Sequence, residues 1–330
     1  NALVQITGTD PHWDASAQAL VTALIMYAAI EARAAGRHRV ATMRRVRELL
    51  TMASGEGYGL AKLAEEMAQS AVMGLRNKAA QFVEWSGEIR SVASAARRQT
   101  ESFDDDPVMD DLDKNGFDPR VMKRRPMTVY VILPPHMMDR HSKWLRLVLS
   151  AAIQGVLRAR QRGEPGVLFM MDEFAALGHL EIIETVWALV RGYGIQLMPV
   201  LQDMSQLRAL YKERWETFIA NAGVVASFRP NDLTTAKWLS ERGGERTVVA
   251  GSYNTGQSQG QKGHTGSNIG FSYQQVKVPL MPAHDLFGIP DGHLVLGMNG
   301  LSSLTPAYAP GYWRIKQCKA RERRNPYFGG

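Results

Sequence analysis

Apolar residues recur at every third or fourth position through the first hundred residues, a spacing that predicts amphipathic helices. The first predicted helix has Asp10 as its N-cap and Pro11 in its first turn, and Gly36 marks its end. Residues 40–100 continue in this style, rich in Ala, Met, Leu, Arg and Glu, with no strand-like run and no proline. The first third of the chain is therefore predicted to be helical.

A different pattern begins after residues 101–119, an acidic, turn-rich stretch that predicts a connection. Short runs of β-branched and other apolar residues then alternate with helical spacing. Apolar strands separated by helices are typical of a parallel sheet covered on both faces, so the predicted fold class is α/β. Residues 250–275 are rich in Gly, Ser and Gln and predict a flexible loop. The predicted strands are residues 128–134, 167–171, 195–202, 222–228 and 293–298.

The composition is that of a globular protein with a basic surface. The net charge is +7, and basic residues cluster at 37–47, 120–125 and 314–324. Such clusters are typical of nucleic-acid contacts, and also of solvated helix faces and tails. The single cysteine excludes an internal disulfide framework. The histidines show no metal-ligand spacing.

Neither a signal peptide nor a membrane span is predicted from these residues. The longest apolar stretch, residues 19–30, is shorter than the roughly 20 residues that cross a bilayer. The chain begins with Asn1 rather than Met, and we therefore expect an upstream portion of the protein.

Two adjacent acids, Asp172 and Glu173, directly follow the predicted strand "VLFMM". In parallel α/β sheets, ligands bind beyond the carboxyl ends of the strands. An apolar strand ending in Asp-Glu is the pattern that nucleotide hydrolysis requires, because the first acid holds the Mg²⁺ shell and the second polarises the attacking water. The alternative is that both acids cap the helix that follows.

The flanking sequence resembles the coupling proteins of type IV secretion and conjugation, the TraG/TraD type of hexameric DNA-pumping ATPase. "FMMDEFAALG" is similar to the family's Walker B strand, and "ETVWALVRGYGIQLMPVLQDMSQLRALY" to the segment after it. "FIANAGVVASFRPNDLTTAKWLSERGGERTV" resembles the next strand and helix. "PLMPAHDLFGIPDGHLVLGMNGLSSLTPAYAPGYW" resembles the closing segment. The resemblance covers most of residues 120–315, with these stretches in the same order and spacing.

This resemblance gives roles to two further residues. In the family, an arginine at the position of Arg191 acts as a finger that reaches the γ-phosphate in the neighbouring subunit. Gln202 ends the next predicted strand, where the resemblance implies that it hydrogen-bonds the γ-phosphate or the lytic water. Without the resemblance, Arg191 is also explained as a cation at a helix C-terminus, and Gln202 as an ordinary strand-end amide.

One family motif is missing. The Walker A signature GxxxxGK[ST] does not occur in these 330 residues, and "GQKGHTGS" at 260–267 lacks the Gly-Lys-Ser/Thr ending. Family members carry Walker A upstream of the helical domain, so its absence fits a chain that starts after it. Without the backbone amides and lysine that hold the phosphates, we expect this piece to bind ATP poorly and to be inactive by itself.

The resemblance also implies a domain organisation, a RecA-like parallel sheet flanked by helices with an inserted all-α domain. Residues 1–35 would end the first part of the nucleotide-binding domain, and residues 36–118 would form the all-α domain. Residues 119–330 would form the second part of the nucleotide-binding domain, with the flexible loop and a basic tail.

The implied function is that of an ATP- and Mg²⁺-dependent motor, a homo-hexamer in the bacterial cytoplasm attached to the inner membrane through an N-terminal segment missing here. The implied partners are single-stranded DNA or a relaxase–DNA complex, secreted protein effectors and other type IV secretion components. Two alternatives stay open: a docking module that recruits substrates without ATPase activity, and an FtsK-type DNA translocase. The helical insertion and the segment after residue 276 argue against the latter.

Overall fold

The computed structural model describes residues 3, 4, 6, 11–36, 43–52, 58–84, 87–114, 116–159, 166–259 and 265–321. The chain forms two compact units, Asn1–Val200 and Leu201–Gly330. Among the described residues, the first unit consists of helices and one pair of parallel strands, and the strands of the second unit pair antiparallel.

The helical part of the first unit confirms the helical prediction for the first third of the chain. Its core is a continuous cluster of buried apolar side chains contributed by α1 through α6. Phe103, fully buried, lies in a short 3₁₀ turn between α5 and α6. The helices are α1 (Pro11–Ala34), α2 (Met43–Met52), α3 (Tyr58–Ala68), α4 (Met73–Ala80), α5 (Gly87–Thr100) and α6 (Asp106–Asp113).

Helix α1 buries its apolar face inside this cluster. Leu20 and Leu24 are fully buried, and Gly36 follows the helix with a φ of +71°, the left-handed conformation expected at its end. The predicted N-cap, Asp10, lies outside the described residues. At 24 residues, α1 is long and apolar enough to cross a membrane by length and composition, so our prediction that the stretch is too short was wrong. Its packing in the core gives its apolar residues another explanation.

The arginines of α2 pair with acids of the same unit. Arg44 contacts Asp110 and Asp113, Arg45 contacts Glu31 and Glu48, and Arg47 contacts Asp104. Arg47 also donates to the carbonyl of Arg97 (2.9 Å) and to the Thr100 hydroxyl (2.7 Å), so it joins α2 to the end of α5. The described part of the basic cluster at 37–47 therefore has its charge compensated within the fold.

The rest of the first unit contains the parallel strand pair. Helix α7 (Met138–Arg158) precedes strand β1 (Val167–Met171), and the short helix α8 (Glu181–Val186) lies between β1 and strand β2 (Ile195–Pro199). The prediction of a strand at 128–134 was wrong, because this stretch joins no strand ladder among the described residues. Tyr130 and Ile132 are exposed there. An apolar run becomes a strand only where a neighbour supplies hydrogen bonds.

The second unit differs from the prediction in strand direction. Among its described residues, one sheet has the order β3 (Val224–Ser227), β6 (His293–Met298), β7 (Thr305–Tyr308), with both pairs antiparallel. The strands predicted at 222–228 and 293–298 thus pair with each other rather than extend a parallel sheet. Leu239, Leu286, Val295 and Leu304 form its core. The elements are α9 (Met204–Tyr211), α10 (Trp215–Asn221), β3 (Val224–Ser227), α11 (Leu233–Gly243), β4 (Glu245–Gln259), β5 (Thr265–Pro279), α12 (Ala283–Leu286), β6 (His293–Met298), β7 (Thr305–Tyr308) and α13 (Lys316–Lys319).

The predicted loop at 250–275 is, where the structure describes it, part of the antiparallel hairpin β4–β5. Tyr253 pairs with Phe271, and Gly251 pairs with Tyr273, so the three aromatic side chains lie on one face of the hairpin. All three are exposed. The prediction of a loop was wrong because the Gly, Ser and Gln content hid an alternation of strand-forming residues.

We expect Arg47→Met to destabilise the helical part of the first unit by about 2 kcal/mol, because it removes hydrogen bonds to a carboxylate and to the end of α5. The measurement is urea unfolding followed by circular dichroism. Arg90→Met, at an exposed position on α5, is the matched control and should change stability by less than about 0.5 kcal/mol. Equal effects of both variants would contradict the role given to Arg47.

A second prediction concerns Tyr27, which donates a hydrogen bond to Glu66 (2.9 Å). Burial, together with this bond, raises the pKa of the Tyr27 phenol to about 12 from an ordinary value of 10.0. Because the folded state favours the neutral phenol, its contribution to stability is complete below pH 10.0 and is lost as the pH rises towards 12. Tyr27→Phe should therefore reduce the loss of stability between these pH values, whereas Tyr130→Phe, at an exposed position, should not.

Candidate functional site

The two acids lie at the carboxyl end of the parallel strand pair. Strand β1 pairs with β2 in register from Val167 opposite Ile195 to Met171 opposite Pro199, and Asp172 is the next residue. Two hydrogen bonds fix the chain on either side of the acids. The Val200 N–H donates to the Met171 carbonyl (2.9 Å), and the Phe174 N–H donates to the Val200 carbonyl (3.3 Å).

Apolar residues after the acids anchor the segment in the interior. Phe174 is fully buried and Leu177 is nearly so, in the 3₁₀ turn Phe174–Leu177 that follows. Gly178, with a φ of +64°, ends this turn. The run of Phe and Ala that succeeds the acids is thus an anchor, which holds the main chain while the acidic side chains stay at the surface.

Both acidic side chains are exposed and available for ligands. Neither carboxylate has a hydrogen bond or ion pair with any residue in the part of the chain that the structure describes. Glu173 occupies the N-cap position of the turn and makes no side-chain cap hydrogen bond. The geometry therefore gives no support to the alternative that these acids serve as helix caps.

A buried arginine supports the segment after the acids, and the sequence analysis missed it. Arg146, on α7, is almost completely buried, and its guanidinium donates to the carbonyls of Leu177 and His179, the latter at 2.9 Å. Its one signal in the sequence is a charge within the apolar run "WLRLVL" of a predicted helix. The His179 ring also contacts Glu184 (2.7 Å).

Arg191 lies at the other end of the same strand pair. It is exposed, in the 3₁₀ turn Val190–Tyr193, which Gly194 ends in the left-handed conformation just before β2 begins. Because β1 and β2 are parallel, the start of β2 lies beside the start of β1, and five strand residues, about 16 Å, separate that edge from Asp172. Arg191 and the acids thus occupy opposite edges of the strand pair.

Gln202 belongs to the second unit, whereas the two acids and Arg191 belong to the first. Its side chain is exposed, and its N–H donates to the Gln206 side chain (3.0 Å). The next residue, Asp203, caps α9 by accepting from the Gln206 N–H (2.9 Å). Gln202 therefore lies directly before the N-cap of α9, in a stretch of backbone held by hydrogen bonds.

Exposed, unpaired carboxylates are oxygen ligands of the kind that Mg²⁺ prefers, with water completing its shell. No group of three His, Cys, Asp or Glu side chains that could enclose a metal is found among the described residues. The Asp172 carboxylate therefore fits an open Mg²⁺ site, in which water and phosphate oxygens would supply the other ligands. The phosphate-binding motif GxxxxGK[ST] does not occur in the sequence.

Comparison with known proteins identifies the family of this chain. The family model described as "Type IV secretory system Conjugative DNA transfer" matches residues 2–324. The conjugal transfer protein TraG of Escherichia coli is 26% identical over 303 residues, which are 86% of this chain and 46% of TraG. The protein VirD4 of Rhizobium rhizogenes is 31% identical over 153 residues, which are 44% of this chain and 22% of VirD4. The chain thus spans less than half the length of these relatives.

Solved structures agree on the fold. The bacterial conjugative coupling protein TrwBdeltaN70 matches with a TM-score of 0.67 at 16% identity, over 94% of this chain and 66% of that one. TrwB in complex with ADP and Mg²⁺ matches with a TM-score of 0.65 at 15% identity over the same shares. This likeness confirms the predicted fold class, a RecA-like α/β fold with a helical domain.

The support that Arg146 gives to the segment after the acids can be tested by Arg146→Met. We expect a loss of roughly 2–3 kcal/mol in the free energy of unfolding, because the carbonyls of Leu177 and His179 lose a charged donor in a buried place. Chemical unfolding measures the loss, and limited proteolysis should cut faster near residues 177–180. Arg140→Met, at an exposed position on the same helix, is the control, and a similar loss there would refute the assignment.

Proposed function

The chain belongs to the type IV secretory conjugative DNA-transfer family, and from this premise we propose that it is part of an ATP-driven ring motor that moves DNA or protein substrates towards a secretion channel. TraG is named for conjugal transfer, and TrwB for conjugative or plasmid coupling. These names favour a coupling protein over the docking-module and FtsK-type alternatives.

The observation that carries this proposal is the pair of exposed, unpaired carboxylates at the carboxyl end of β1. Asp172 would hold Mg²⁺ through water, and Glu173 would take a proton from the attacking water. When bound, ATP would supply the phosphoryl group and ADP as its leaving group, and Mg²⁺ would neutralise part of the phosphate charge. The main chain on either side of the acids is held by hydrogen bonds to Val200, directly after β2, so the backbone that carries both side chains is fixed before any ligand arrives.

The proposed role of Arg191 follows from its place at the opposite edge of the strand pair. A side chain of its length does not span the ~16 Å that separate it from the acids of its own subunit. An exposed guanidinium at that edge suits a site on an adjacent subunit, where its fixed fork of donors would meet phosphate charge. The proposal therefore requires a ring, and we propose a homo-hexamer as in the motors that this sequence resembles.

Gln202 completes the proposed set. It follows β2 closely in the chain, and Gln206 and Asp203 fix the backbone around it. Its amide would hydrogen-bond the γ-phosphate or the lytic water and transmit the nucleotide state to α9. In this role the amide would orient these groups without transferring a proton, since an amide neither gains nor loses a proton at neutral pH.

The proposed partners follow from the family. The cargo would be single-stranded DNA, a relaxase–DNA complex or secreted protein effectors, handed to other type IV secretion components. The whole protein would lie in the bacterial cytoplasm, attached to the inner membrane. ATP and Mg²⁺ are the proposed cofactors, which the nucleotide complexes of TrwB support. Residues 1–330 alone would not hydrolyse ATP, because they contain no phosphate-binding loop.

The proposal is tested by Glu173→Gln in the protein expressed from its complete gene. We expect kcat for ATP hydrolysis to fall by about 100-fold or more, with KM for ATP little changed, because general-base assistance is lost while binding is kept. Glu216→Gln, at an exposed position on α10, is the control and should hydrolyse ATP normally. Normal hydrolysis and transport by Glu173→Gln would overturn the motor proposal.

A further inference from the structure

A buried lysine lies near Arg191, at the end of the strand pair opposite the acids. Lys123 ends the 3₁₀ turn Pro119–Lys123 and is only 3% exposed. Lysine is rarely buried because its charge is costly to remove from water unless hydrogen-bond partners replace the solvent. Its neighbours in the sequence, Arg124 and Arg125, are exposed, so the burial is specific to this position.

The partners of Lys123 are the carbonyls that directly follow Arg191. Its ammonium donates to the Tyr193 carbonyl (2.7 Å) and to the Gly194 carbonyl (3.3 Å). The Gly194 N–H in turn donates to the Arg191 carbonyl (3.1 Å). One hydrogen bond of the turn and two from Lys123 thus define the path of the main chain from Arg191 into β2.

Gly194 makes room for the ammonium. A Cβ atom at this position would lie 2.7 Å from the Lys123 nitrogen, and the φ of +64° already disfavours other residues. The Gly194 carbonyl also accepts the N–H of Val167, the first residue of β1 (2.9 Å). The Lys123 ammonium therefore binds the residue that links the turn Val190–Tyr193, called here the arginine turn, to the start of β1, the strand that leads to the acids.

The turn Pro119–Lys123 is itself fixed from the other side. A Cβ atom at Gly155 on α7 would lie 2.8 Å from the Cβ of Pro119, so helix and turn are in close contact there. The Asp118 side chain caps the turn by accepting the Arg120 N–H (3.0 Å). Lys123 thus lies at the end of a turn that is fixed against α7. The hydrogen bonds of its ammonium attach the arginine turn to the same part of the fold.

We propose that Lys123 is a positioning residue for Arg191: its buried ammonium holds the turn so that the guanidinium is presented to the neighbouring subunit. The inference rests on the role of Arg191 in the proposed function. Exposed arginines are mobile, and a finger displaced by about 1 Å can lose on the order of 100-fold in rate. Lys123 donates to main-chain carbonyls of this turn, so we expect its effect on hydrolysis to act through Arg191.

The test is Lys123→Met in the protein expressed from its complete gene, because Met keeps the length of the side chain and removes the donors. We expect kcat for ATP hydrolysis to fall by about tenfold or more, with KM for ATP within about twofold of the unsubstituted protein, since a finger acts in the transition state. Arg125→Met, two residues away and exposed, is the matched control and should leave both constants unchanged.

Two further measurements separate positioning from a general structural defect. In the Arg191→Ala background, Lys123→Met should cause no additional loss of kcat, because the group that it positions is already absent. Rings mixed from Lys123→Met and Glu173→Gln subunits should hydrolyse ATP faster than either variant alone. In such rings, an intact arginine turn from one subunit meets intact acids from its neighbour.

The outcomes are distinguishable. An unchanged kcat in Lys123→Met, an additive loss in the Arg191→Ala background, or no gain in mixed rings would overturn the inference and leave the proposed function standing. An unchanged kcat in Arg191→Ala would instead remove the finger role, and this inference with it. If Lys123→Met does not fold, Lys123→Gln, which keeps an amide donor, takes its place with the same expectations at a smaller loss.

Discussion

Main-chain carbonyls that end a turn inside a protein need donors, and two buried cations supply them in the first unit. Arg146 donates to the carbonyls of Leu177 and His179, beyond the acids, and Lys123 donates to those of Tyr193 and Gly194, beyond Arg191. Both cations would be costly to bury without these partners, and both segments would be loose without the cations. The surface side chains proposed to carry out the chemistry therefore depend on charges placed in the interior.

The parallel pairing of β1 and β2 sets the second constraint. Parallel strands run from one edge of a sheet to the other, so residues after β1 and residues before β2 are separated by the full strand length. The acids and Arg191 are divided in this way. In the proposed motor, one subunit would carry both halves of the reaction centre but could not bring them together, and repetition of the subunit around a ring would do so.

The sequence predicted the parts of this structure that depend on local pattern. The helix around Leu20 and Leu24, the strands β1 and β2, and the acids after β1 are where the periodicity and composition indicated. Strand direction in the second unit and the exposed stretch at 128–134 were not predictable in this way, because an apolar run does not specify its neighbour. The buried place of Lys123 depends on a carbonyl 70 residues along the chain, which no local pattern contains.

The hairpin β4–β5 has a consequence for how this region can vary in length. Side chains alternate between the two faces of a strand, and Tyr253, Phe271 and Tyr273 share one of them. Shifting one strand by a single residue against the other would turn its aromatic rings to the opposite face. Homologous proteins that lengthen or shorten the hairpin between its base and these aromatic residues should therefore do so by equal, even-numbered insertions or deletions in both strands.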